Sequence, residues 1–224
     1  MMLKALLYKE WIKLRWVVIA IAVLTLFSLA YSIGMINYYI EFQGALRNWM
    51  FVIGKSLLLR NIVFVKILPL ITGLAFALLQ FVPEMARNRM RLSYHLPISE
   101  KKLLLSSVGI GYMFLLAEII FLFFGLWLVI SLTYPAEITQ KVLISTIPWF
   151  LGGSAIYFLT SFIILEPSWI YRIIYGIAAY GLIELNFHAS TYDQYQLLWV
   201  FVLIVAVMPF TVLFSGHRFR RGTK

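Results

Sequence analysis

The sequence predicts an all-α membrane protein of six transmembrane helices, preceded by an amphipathic interfacial helix. Three observations carry that expectation. The chain is 62% hydrophobic and only 12% charged, whereas a soluble domain is closer to half apolar and a quarter charged. Its apolar residues fall into six runs, each near the roughly 20 residues that a bilayer requires. Its basic residues gather in the short segments between those runs, which accounts for a net charge of +10 by membrane topology, without nucleic acid. With no cysteine in the sequence, disulfides, thiol nucleophiles and Cys-ligated zinc are excluded.

The first element is residues 1–15. Leu3, Leu6, Leu7, Trp11 and Leu14 recur at helical spacing and form an apolar stripe, while Lys4, Lys9 and Lys13 lie off it. That pattern predicts a helix lying on an anionic leaflet, the plainer alternative being a basic flank to the first span. Basic Lys4–Arg15, an apolar run and Ser28-Leu29-Ala30 together imitate a cleavable signal. The apolar stretch runs on to about Ile36, so it is expected to be a retained span.

The predicted spans are Trp16–Ile36, Ile62–Val82, Leu103–Leu132, Val142–Leu165, Ile170–Phe187 and Leu197–Ser215, together a membrane domain over 16–215. A basic tail, 216–224, follows. Between the first two spans, Asn37 to Asn61 mixes Glu41, Arg47 and Lys55 with Trp49, Met50 and Phe51, suggesting a short helix on the outer surface. Pro69, Pro148 and Pro209 fall inside spans, where each removes a backbone hydrogen bond and can kink the helix.

Orientation follows from lysine and arginine. One side collects Lys4, Lys9, Lys13, Arg15, Arg87, Arg89, Arg91, Lys101, Lys102, Arg172, Arg218, Arg220, Arg221 and Lys224. The other keeps Arg47, Lys55, Arg60, Lys66 and Lys141. Both termini are therefore expected in the cytoplasm, with the protein in a bacterial-type plasma (inner) membrane.

Little catalytic chemistry is legible, and no catalytic, cofactor or metal site is expected. Gly54-Lys55-Ser56 resembles the end of a phosphate-binding loop, but the glycine needed five positions earlier is Trp49. Gly109-Ile110-Gly111 lacks the third glycine of a dinucleotide fingerprint and reads as a close-packing site, with Ser107 and Gly111 as a small-xxx-small pair. His95, His188 and His217 lie in separate loops.

Charges within spans are costly and mark candidate sites. Glu118 sits near the middle of the third span, as a pathway carboxyl or a packed one. Lys66 and Glu184 lie at similar depth near the outer ends of the second and fifth spans, to pair or to snorkel into water.

The most informative interior segment is 83–102, polar and strongly basic between two apolar runs. From Glu84 to about Tyr94 its residues can form a short helix with Arg87 and Arg91 on one side and Arg89 on another, Met85 and Leu92 supplying apolar contact. Pro97 then disfavours helical geometry at Leu96, and Ser99 can cap the next helix.

Taken together, Lys9-Glu10-Trp11-Ile12-Lys13-Leu14-Arg15 entering the first span, this loop with Leu96-Pro97-Ile98-Ser99 before Lys101-Lys102, and the six-span layout resemble the membrane subunits of type-2 ABC transporters. The resemblance implies that the loop holds a coupling helix, in which Glu84, Arg87, Arg89, Arg91, Leu92 and Tyr94 dock on a separate ABC-type ATPase. It implies a second permease, identical or homologous, with ATP and magnesium held on the ATPase. This chain would then be no enzyme but the permease of a transporter, with export the expected direction. An accessory or sensory membrane subunit and a membrane-embedded enzyme are the alternatives. Larger members of that family place further helices between spans five and six. Here Asn186 to Gln196 has room for a turn, unless part of Ile170–Phe187 is itself re-entrant.

Overall fold

A computed structural model describes residues 2–44, 52, 58–59, 62–86, 99–188, 192 and 198–221. Among the described residues the element order is α1 Met2–Gln43, α2 Val63–Ala86, α3 Glu100–Ser131, α4 Ala136–Leu165, α5 Trp169–Phe187 and α6 Leu198–Arg221. Four of these, α1 to α4, are long and apolar enough to cross a membrane, as an integral membrane protein requires. The apolar part of α6, Leu198–Phe214, is shorter. Arg172, Glu184, Asn186 and several tyrosines dilute the apolar character of α5.

Helix α1 buries a largely polar stripe and exposes large apolar side chains. On α1 the buried positions are Glu10, Leu14, Ile21, Thr25, Ser28, Ser32 and Ile36, a stripe spaced by three, four or seven residues. Trp16, Val23 and Phe27 on the same helix are exposed. Small and hydroxyl-bearing residues let helix backbones approach and bond to one another, whereas large apolar side chains lose nothing by facing lipid.

One expectation is corrected here. Residues 2–43 form one continuous helix with no break at Arg15, and at 1.5 Å per residue it is roughly twice the length of the hydrocarbon core. On this helix Glu10 and Leu14 are buried against protein while Leu7 and Trp11, also of the apolar stripe, are exposed. No glycine or proline interrupts the junction, and Lys9 and Lys13 have carboxylate partners on the protein instead of facing only an anionic leaflet.

At its far end α1 stops at Gly44, whose φ of 76° is the left-handed conformation that a glycine adopts without penalty; its amide bonds back to the Ile40 carbonyl at 3.0 Å. Most of the outer connection expected to hold a surface helix lies outside the described residues. Of that stretch, Val52, Leu58, Leu59 and Ile62 are buried in a hydrophobic cluster with Leu126, Ile130 and Trp149.

The hub is α4, which packs most extensively on α2 and then on α6, α5 and α3. Its contact with α2 depends on missing side chains. A Cβ on Gly153 would lie 2.6 Å from the Pro69 carbonyl oxygen, and one on Gly73 would run into the Gly153 carbonyl. Backbone meets backbone at this crossing, and Thr72 donates to Pro69 O at 3.0 Å beside it.

Boundaries elsewhere differ modestly from expectation. Helix α4 starts at Ala136, six residues before Val142, after the turn at Tyr134-Pro135, and α6 continues through Arg221. Ser99 does occupy the N-cap position of α3 with extended backbone, but its hydroxyl makes no capping bond.

Candidate functional site: a polar cluster at the basic end of the bundle

Four helices place polar side chains together where α2 ends. On α2, Phe76, Ala77, Gln80, Phe81 and Glu84 are buried, so Gln80 and Glu84 are helical neighbours on an otherwise apolar face. The Glu84 carboxylate accepts from Lys13 Nζ at 2.5 Å and Lys9 Nζ at 2.9 Å, both from α1. Lys13 also reaches Glu10, one turn earlier, at 3.2 Å. Two carboxylates and two ammonium groups balance in charge, which a partly buried ionic cluster requires.

Glu10 carries the cluster on to α3. Its Oε1 accepts from the Ser107 hydroxyl at 3.3 Å. Gln80 Nε2 donates to the Ser107 carbonyl at 2.7 Å. The Tyr157 hydroxyl of α4 lies 2.7 Å from Gln80 Oε1 and 2.9 Å from Val108 O, its single proton shared between two acceptors. The path thus runs from half-exposed Lys9 to fully buried Tyr157.

Glycine 111 makes this meeting possible. A Cβ there would collide with the Gln80 side-chain oxygen and the Tyr157 hydroxyl, and would sit 2.7 Å from Gln80 Cδ. The close-packing role expected of Ser107 and Gly111 is therefore met, with a polar contact instead of an apolar one.

The other expected site residues are distributed as follows. Arg87, Arg89, Arg91, Leu92 and Tyr94 lie outside the described residues; Glu84, at the root of that segment, is in the cluster. Glu118 is buried and hydrogen-bonded to Thr25 of α1. A groove of about 300 Å³ between α3 and α4 is lined by its neighbours Leu116, Ile119 and Ile120, while Glu118 turns away toward α1.

Lys66 and Glu184 are not brought together. The Lys66 ammonium sits 5.6 Å from the centre of the Trp149 ring, and Glu184 is exposed on α5. Burial of Trp149 gives the lysine a nearby π-face in place of a carboxylate.

Glu10, Gln80 and Tyr157 carry no site role on the sequence alone, and Ser107 only a packing one, because the signal used there is a charge within a span. The usable signal was Gln80, a primary amide in the run Leu78-Leu79-Gln80-Phe81-Val82 and four residues before Glu84.

The cluster offers hydrogen bonding and charge but no nucleophile of the serine–histidine type. Among the described residues, no group of three metal-ligating side chains could hold an ion. Compared with family models, curated proteins and solved structures, the chain matches none.

Proposed function

We propose that this chain is the transmembrane subunit of an ATP-driven transporter of the type-2 ABC kind. In this reading all six helices span, both termini are cytoplasmic in a bacterial-type inner membrane, and the loop 83–102 carries the coupling helix. Two such permeases associate with two ATP-binding subunits, which hold ATP and magnesium. ATP binding closes the ATPase pair and drives the permeases between conformations, with export as the direction. A nucleotide moves this equilibrium only by binding one state better than the other.

The observation that carries the reading is the grip of Lys9 and Lys13 on Glu84. In the sequence Arg87, Arg89 and Arg91 follow Glu84 within seven residues. A force applied to that segment therefore passes into α2 and α1 together, and through Gln80 and Tyr157 into α3 and α4. A loop serving topology alone has no need of such a base.

Co-purification tests the proposal. A soluble protein with nucleotide-binding motifs should accompany the chain, and the double reversal Arg87→Glu with Arg91→Glu should release it while the chain stays in the membrane. Unchanged co-purification after that reversal would refute docking through this segment. Absence of any such ATPase from the wild-type preparation would refute the transporter reading itself.

A further inference from the structure

At the same end of the bundle as the Glu84 cluster, the ends of α2 and α4 and the start of α5 leave a cleft of about 550 Å³. Val82, Met85, Ile163, Trp169, Arg172 and Ile173 line it. Five of these six residues are apolar or aromatic; Arg172 supplies the charge. Its Nε donates to Glu166 O at 2.7 Å and one Nη to Ile164 O at 3.3 Å. Its guanidinium also stands 5.2 Å from the centre of the Trp169 ring.

Within the described residues the hydrogen bonds of Arg172 go to backbone carbonyls. An arginine has five N–H donors, so donors remain for a ligand. The surface beside it is of the kind that meets the headgroup region of a bilayer: Trp169 is 73% exposed, and Ile170 and Ile173 are exposed next to it.

We propose that this cleft is a binding site for an anionic phospholipid. Its phosphate pairs with Arg172 at the level of Trp169, and an acyl chain runs along Val82, Ile163 and Ile173. Basic pockets between membrane helices hold such headgroups for the same reason. A free phosphate would gain nothing from the apolar walls. The proposal does not depend on an ATPase partner, so it can fail or succeed independently of the transport reading.

The test uses the full chain in nanodiscs of phosphatidylglycerol and phosphatidylcholine in equal amounts, released into mild detergent for native mass spectrometry. Phosphatidylglycerol should be retained over phosphatidylcholine by roughly fivefold, the contribution of one basic residue near an anionic lipid. Arg172→Gln should bring that ratio to about one. Because Arg172 also bonds the last carbonyls of α4, a second variant fills the cleft and leaves the arginine: Met85→Trp should remove the preference as well. Lys101→Gln, outside the cleft lining, should retain it, and millimolar inorganic phosphate should not displace the lipid. The site is refuted if the wild type shows no preference, or if the preference survives either Arg172→Gln or Met85→Trp. Loss in Lys101→Gln equal to that in Arg172→Gln, or displacement by phosphate, would also refute it.

Discussion

Lys9 and Lys13 both reach the same Glu84 oxygen, yet their substitutions should differ several-fold in effect. The Lys13 side chain is 16% exposed and Glu84 is 7% exposed, at 2.5 Å; Lys9 is 43% exposed, at 2.9 Å. Removing one partner of a buried pair strands the other charge and costs about 3–5 kcal/mol. Lys13→Met should fall near the low end of that range, about 3 kcal/mol, because Lys9 continues to neutralise part of Glu84. An exposed partner contributes about 0–1 kcal/mol, so Lys9→Met should lie there. The assay is reversible unfolding by sodium dodecyl sulfate in mixed micelles, with a double-mutant cycle over Lys13→Met and Glu84→Gln. The cycle isolates the pairwise coupling, expected to be on the order of 1–3 kcal/mol for residues in direct contact. Equal effects of Lys9→Met and Lys13→Met, or a coupling energy below about 0.5 kcal/mol, would refute the assignment of the bundle's ionic tie to Lys13 and Glu84.

Two further predictions concern the same bundle. Gly111→Ala should cost about 1–3 kcal/mol by forcing Gln80 and Tyr157 apart, while Gly109→Ala, with nothing within 4 Å of the new Cβ, should be neutral or stabilise by up to about 1 kcal/mol through helix propensity; parallel unfolding curves decide it. Thr25→Val should destabilise by about 1–3 kcal/mol by leaving Glu118 buried beside a methyl group, whereas Glu118→Gln should keep the hydrogen bond and much of the stability. If Thr25→Val is silent in the same unfolding assay, the packed role of Glu118 fails.

Several features were legible because they depend on local composition. The helix over Trp169–Phe187 was expected from Ile170, and the end of α4 at Leu165 was placed as observed, since the Glu166-Pro167-Ser168 interruption is written in the chain. The small pair Ser107 and Gly111 was recognisable by spacing alone. Lys9 and Lys13 read as leaflet-facing charges, and of the two readings of Lys66 and Glu184, as a pair or as side chains reaching water, the pair does not form. Depth along a helix can be counted from the sequence. Azimuth between two helices cannot, because it depends on which faces the other helices occupy.

The sequence by itself therefore determined the all-helical class, the long apolar spans and the clustering of basic residues in the segments between them. These follow from the requirement that a bilayer-spanning segment satisfy its own backbone and carry few charges. Only the tertiary structure decided that Glu84 is held by Lys9 and Lys13, that Gln80 joins Ser107 to Tyr157, and that Gly111 leaves room for them. Gln80 and Tyr157, 77 positions apart, meet because α4 packs closely on α2 through Gly73 and Gly153, and Lys13 and Glu84, 71 apart, meet because α1 packs on α2. That approach is set by the mutual fit of helix faces, which no single stretch of the chain contains.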